Sequence, residues 1–147
     1  MADFRGETSE WRGSDEWTDK AHVEIAQYHA YIDKIASPTA PAQEERPTYA
    51  QVIGAIDRLA VPTDYAFAAA GGFPGELNSG WRAKGQDSID MEYGYSCMGY
   101  EISGAWGAKM AMPDREVIVF VGDGSYLMMN SDLFSSCLLY TSDAADE

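Results

Sequence analysis

Cysteine and histidine are nearly absent, two of each in 147 residues. Cys97 and Cys137 form neither a metal-ligand spacing nor a disulfide framework, which fits a reducing compartment, so a cytoplasmic location is expected. Basic residues are scarce as well, with Lys+Arg 10 against Asp+Glu 24 and a formal net charge of -14. A surface this acidic repels phosphate backbones and anionic lipid, which argues against nucleic acid and membranes as partners. No apolar run approaches the ~20 residues of a membrane span, and the opening MADFRGETSE lacks the apolar stretch of a secretion signal. What is present is 46% hydrophobic residues and 12% aromatics, enough for one domain with a real core.

Both ends read differently from the middle. The last eleven residues, CLLYTSDAADE from Cys137 to Glu147, match a translated sequencing adapter and are expected to be non-native, so native sequence is expected to stop near Ser136. Nothing in Met1–Trp17 reads as a structural element, and the chain reads as a fragment. Residues 1–47 are taken as the end of a preceding region, 48–136 as the N-terminal part of a domain, and 137–147 as the tail.

Between those ends, periodicity predicts the elements. Ala21, Ile25, Tyr28, Ile32 and Ile35 share one face of a helix over Thr18–Ala36. Ser37–Pro47 is proline-rich and aperiodic, hence a linker. Thr48 with Gln51 three residues on forms a capping box, opening a helix with Val52, Ile56 and Leu59 on one face and Tyr49, Ile53 and Ala60 beside them. Tyr65–Ala70 reads as a buried strand, Phe73–Asp90 as a long loop, and Gly99–Met112 as a helix that Gly104 and Gly107 let pack closely on a sheet. Glu116–Val121 is a strand with almost no polar face, as in parallel sheets covered on both sides. The order predicts a doubly wound α/β domain with a parallel sheet.

The chemistry concentrates where that last strand ends, at Gly122-Asp123-Gly124-Ser125. Ligands of open α/β sheets bind beyond the carboxyl ends of the strands, and Asp123 lies just past one. Flanking glycines permit unusual backbone angles and close approach of a ligand. A lone carboxylate suits Mg²⁺, which takes one or two protein carboxylates together with phosphate oxygens and water. A following helix, expected from about Met128, would turn its amides toward a phosphate, and Ser125 could add a hydroxyl. For the bare tripeptide a plain β-turn is the commoner explanation. The dinucleotide fingerprint fails, because Leu127 stands where its third glycine belongs.

VGDGSYLMMNSD resembles the opening of the thiamine-diphosphate-binding motif, whose later Asn would lie beyond Ser136; Asn130 comes too early. With AAGGFPGELNSGWRAKG and EYGYSCMGYEISGAWGAKMAMP, the stretch from Tyr28 to Ser136 is similar to thiamine-diphosphate-dependent enzymes. Within that family it looks most like the ring-opening hydrolases of myo-inositol catabolism. The resemblance implies thiamine diphosphate and Mg²⁺ as cofactors, with Asp123 as metal ligand and Gly122, Gly124 and Ser125 near the diphosphate. It implies that Gly71 and Gly72 lie near the same group. Ser96, Cys97 and Met98 would lie against the pyrimidine, with Met98 holding the cofactor bent and Gly99 permitting the close helix start. It further implies a cyclic dione substrate opened by C–C cleavage to a deoxyglucuronate, and at least a dimer. The activating glutamate would lie in another domain, leaving no catalytic residue here and a fragment inert alone. Acetolactate-synthase or decarboxylase relatives, and a non-catalytic α/β module, are the competing readings.

Other residues carry weaker signals. Tyr93, Tyr95 and Tyr100 read as packing and hinge residues, and Cys97 lacks a histidine partner for nucleophilic work. His22 and His29 share one helix face, in a solvated or core-edge role rather than a metal site. Glu92 and Glu101 could be acid–base groups, although no spacing rule selects them. Trp81-Arg82 and Lys84 form a basic spot suited to a phosphate or substrate.

Overall fold

A computed structural model describes residues 13–39 and 46–140. Most of the adapter-like tail, part of the proline-rich linker and most of the opening segment lie outside the described residues.

Helix α1 (Asp15–Ile35) starts earlier than expected, because Ser14 caps it by accepting the Trp17 N–H at 3.2 Å and Asp15 and Glu16 complement its N-terminal dipole. Of its anticipated apolar face only Ile32 is buried, while Ile25 and Tyr28 are exposed. Helix α2 (Tyr49–Leu59) opens on the expected capping box: Thr48 Oγ1 accepts from Gln51 N–H at 3.2 Å and Gln51 Oε1 accepts from Thr48 N–H at 2.8 Å. Its buried face differs from the expected one. Ile53 is 0% exposed and packs with Ile56 and Ala60, whereas Leu59 is 82% exposed. Ile53, Ile56 and Ala60 recur at helical spacing on the side that meets the sheet, and Leu59 falls outside that stripe.

Three parallel strands follow, β1 (Tyr65–Ala68), β2 (Ile89–Met91) and β3 (Val117–Phe120), in the order β2-β1-β3. Ala68 pairs with Met91 on one side and with Phe120 on the other, so all three strands end at one edge. The pleat divides the central strand between two layers. Ala66 and Ala68 join Ile53, Leu77, Trp81 and Phe120 in the core beneath α2 and α3 (Gly72–Gly80). Phe67 faces α4 (Tyr100–Ala111), where a Cβ on Gly104 would come within 2.6 Å of its ring. Gly104 is thus the close-packing glycine; Gly107 has open space around it. Helices on both faces of a parallel sheet make this a doubly wound α/β domain, as the element order predicted.

Two expectations are corrected. Phe73–Asp90 is not a loop, for it contains α3 and leads into β2. Gly72, Gly75 and Gly80 depress helix propensity there, but burial of Pro74, Leu77 and Trp81 outweighs it. Strand β3 is not buried on both sides either: only Phe120 is buried, and Val119 is 37% exposed. Among the described residues β3 is an edge strand. Val117, Val119 and Val121 line a groove of ≈ 400 Å³ with Ile102, Trp106 of α4 and Tyr126.

Candidate functional site

Three connections leave the carboxyl edge of the sheet: 69–71 after β1, 92–99 after β2 and 121–122 after β3. β1 feeds β2 through α3 on one face, and β2 feeds β3 through α4 on the other, so the chain switches sides between β1 and β3. Open α/β sheets bind ligands at such a switch point, beyond the strand ends. Gly71–Gly72 lies on one side of it and Gly122–Ser125 on the other.

Each glycine there has its own reason. Gly71 caps α3 with φ 84°, and a Cβ on it would meet nothing within 4 Å. Gly72 sits under Tyr49, whose ring a Cβ would approach to 2.7 Å. Gly99 caps α4 in the left-handed region at φ 94° and lies beneath Met129. Gly122 and Gly124, by contrast, do not use positive φ, so the expected unusual angles belong to Gly71 and Gly99 instead. Gly122 has open space above it, and Met98 Cε lies 3.0 Å from where a Cβ on Gly124 would stand. Met98 and Gly124, distant in sequence, are therefore neighbours.

The Gly-Asp-Gly segment is neither a turn nor a loop ahead of a distant helix. Helix α5 (Asp123–Tyr140) begins at the aspartate itself, with Tyr126 N–H bonded to Gly122 O at 2.9 Å. The helix start expected near Met128 is instead a kink at Met129. Asp123 is exposed and accepts the Gly124 N–H at 2.9 Å, and Ser125 is buried. None of the ion pairs among the described residues engages Asp123, which leaves its charge open to a cation. No group of three or more His, Cys, Asp or Glu among the described residues could hold a metal ion. A single carboxylate beside glycine-lined space suits Mg²⁺ that draws its other ligands from a diphosphate and water, so the donor set fits that group in kind.

The 92–99 connection is shaped by carboxylates. Glu92 accepts the N–H of Tyr95 at 2.9 Å and of Cys97 at 2.8 Å, bonds that hold its carboxyl below the usual 4.5, the Cys97 N–H contributing most. Inside that turn Ser96 takes φ 52°, and Ser96, Cys97 and Met98 are exposed. The Cys97 thiol is pushed up by local desolvation first and by Glu92 second, which keeps it protonated and unlike a nucleophile. A depressed carboxyl stabilises the turn above the unfolded value and releases it as pH falls through the folded one. The amide resonances of Tyr95 and Cys97 are therefore expected to move together below pH 4.5 in NMR spectra, and to stay put in Glu92→Gln. Movement in the variant would show that another group controls the turn.

Several sequence candidates fall elsewhere. Arg82 pairs with Asp33 at 2.8 Å and Lys84 with Asp57 at 3.3 Å, and Trp81 is core, so the basic spot fastens the segment after α3 to α1 and α2. Tyr100 stacks on Phe67 with ring centroids 5.3 Å apart, but Tyr93 and Tyr95 are exposed rather than packed. His22 and His29 are exposed on α1. Glu101 is no exposed acid–base group: it is wholly buried, and its carboxylate accepts two backbone amides. Sequence reading missed that role, although an acidic side chain beside Ile102 and Ala105 on the buried face of a helix is a signal for it.

With this geometry, the comparisons define the class. Residues 69–140 match the family described as thiamine pyrophosphate enzyme, C-terminal TPP binding domain, which the chain resembles over that stretch. The chain is also similar to named hydrolases. It is 48% identical over 89 residues (60% of this chain) to the 3D-(3,5/4)-trihydroxycyclohexane-1,2-dione hydrolase of Geobacillus thermodenitrificans, covering 14% of that protein. It is 48% identical over 106 residues (72% of this chain) to the protein of the same name in Bacillus thuringiensis, covering 15% of it. The Clostridium tetani protein is 40% identical over 122 residues, 82% of this chain and 18% of that protein. The chain thus spans less than a fifth of the length of these relatives.

Proposed function

We propose that this chain is the part of a thiamine-diphosphate- and Mg²⁺-dependent hydrolase that grips the cofactor's diphosphate. In this reading residues 48–136 form the N-terminal part of the binding domain, 1–47 end the preceding region and 137–147 are a non-native tail. The substrate is a trihydroxycyclohexane-1,2-dione, as in the names of the relatives, and the product is an open-chain deoxyglucuronate of myo-inositol catabolism. The whole enzyme is a cytoplasmic homo-oligomer. The observation that carries the reading is the convergence of Gly71–Gly72, Met98–Gly99 and Gly122–Ser125 on one sheet edge, with Asp123 among them in no ion pair of the described residues.

Bound thiamine diphosphate supplies a stabilised carbanion for breaking a C–C bond next to a carbonyl. The residues here bind and orient. Asp123 holds the cation, and Gly122 and Gly71 leave room for the diphosphate against the backbone. Met98 would support the bound cofactor, and main-chain groups near Ser96 and Met98 would bind its pyrimidine. No residue here is assigned proton transfer, so the chain by itself should not turn over substrate.

The test is calorimetry of thiamine diphosphate, with and without Mg²⁺, on a protein of the relatives' full length carrying this stretch, followed by assays on the cyclic dione and on pyruvate. Mg²⁺-dependent binding and turnover of the dione alone are expected. Turnover of pyruvate would transfer the chain to the acetolactate-synthase or decarboxylase type. No binding at all would leave a non-catalytic module.

A further inference from the structure

Glu101 is the one acidic residue of the described chain that is buried completely, at 0% exposure, in the first turn of α4. Its two oxygens point to different segments. Oε1 accepts the Ala70 N–H at 2.9 Å and Oε2 accepts the Gly99 N–H at 2.9 Å. No ion pair among the described residues neutralises it. Burying a lone carboxylate is costly, and the chain offsets this with two charge-assisted bonds and the positive end of α4. An apolar residue would leave both amides unsatisfied, and a neutral polar one could accept from only one of them with the same pair of atoms.

Both amides sit beside the glycines that turn the site's walls. Ala70 precedes Gly71, whose φ is 84°, and Gly99 has φ 94° and follows Met98. The carboxylate therefore spans from the connection after β1 to the start of α4 across 31 residues. We propose that Glu101 is a positioning residue, a clamp that fixes the separation of the Gly71–Gly72 and Met98–Gly99 walls and thereby presets the cofactor crevice. The clamp's service to the cofactor rests on the reading under Proposed function; its geometry does not.

The full-length protein is compared with Glu101→Gln, Glu101→Ala and a core variant away from the crevice, Ile53→Val, by three measurements. These are amide exchange at Ala70 and Gly99, thermal melting, and calorimetric affinity for thiamine diphosphate with Mg²⁺. Glu101→Gln is expected to fold, to speed exchange of one of the two amides at least tenfold and to weaken the cofactor at least tenfold. Glu101→Ala should speed both amides and weaken binding further. Ile53→Val should lower the melting temperature while leaving both amides and the affinity as they were. Unchanged exchange in the Glu101 variants would overturn the clamp. Faster exchange with unchanged affinity, or affinity that merely tracks melting temperature across all variants, would overturn its positioning role. A wild-type protein that binds no cofactor would defeat the cofactor reading and this role together, while the exchange measurement would still judge the clamp.

Discussion

Asp123→Ala is expected to weaken Mg²⁺-dependent binding of thiamine diphosphate at least 100-fold in the full-length protein, with little loss of fold. The side chain is exposed, it enters none of the ion pairs among the described residues, and its hydrogen bond is local, to the Gly124 N–H. Removing an acceptor at the first turn of a helix costs about 0.5–2 kcal/mol, a small shift in melting temperature. In the proposed role Asp123 would be the protein's ligand to the divalent ion that anchors the diphosphate, and a 100-fold loss corresponds to about 2.8 kcal/mol. Asp123→Asn separates the two effects. It keeps an acceptor for Gly124 but not the charge, so it should melt like wild type and still bind poorly. Equal affinity in wild type and both variants would remove Asp123 as the ligand, whatever happened to stability.

The second large effect is on folding. Gly99→Ala is expected to destabilise the chain by about 2–5 kcal/mol in denaturant titrations, through two penalties at one atom. A left-handed backbone costs a non-glycine residue about 1–2 kcal/mol. The new Cβ would also fall 2.0 Å from Met129 Cγ and 2.9 Å from its Cβ, an overlap that repacking relieves at about 1–3 kcal/mol. Met129 cannot easily yield, because it occupies the kink of α5 with φ -131°. Adding Met129→Ala removes the Cγ contact but keeps the Cβ at 2.9 Å, so it should recover most of the steric part and leave the backbone part, a coupling that a double-mutant cycle reads directly. Gly107→Ala provides the contrast, since that glycine lies inside α4 with nothing within 4 Å, and should be neutral or stabilising. If Gly99→Ala matched wild type within 0.5 kcal/mol or so, the described joint between α4 and α5 would be wrong.

Much of this molecule is legible in its sequence, where the signal is local. The Thr48–Gln51 capping box, the strand at Tyr65 and the strand ending before Gly122 depend on side chains a few residues apart, and each is present. Helix α3 was illegible for the opposite reason. Its three glycines argue against a helix, and only the burial of Leu77 and Trp81 against Ala66, Ala68 and Ile53 makes one. Likewise the stripe of α2 that faces inward was set by where the sheet lies beneath it, which favoured Ile53 over Leu59. At the site, Gly-Asp-Gly drew attention by itself, but its conformation did not follow. The positive φ angles went to Gly71 and Gly99, and Asp123 opened a helix. Nothing in the spacing of Met98 and Gly124, or of Glu101 and Ala70, announces that they meet.

By itself the sequence determined the class of fold, the capping box that opens α2 and the strand that leads into Gly122, since periodicity, capping and turn chemistry act over a few residues. Only the tertiary structure decided which faces are buried, which glycines bear unusual angles, and that Glu101 joins two walls of a crevice. Those outcomes depend on parallel strands bringing distant segments to one edge, and no local pattern encodes what a residue will find there.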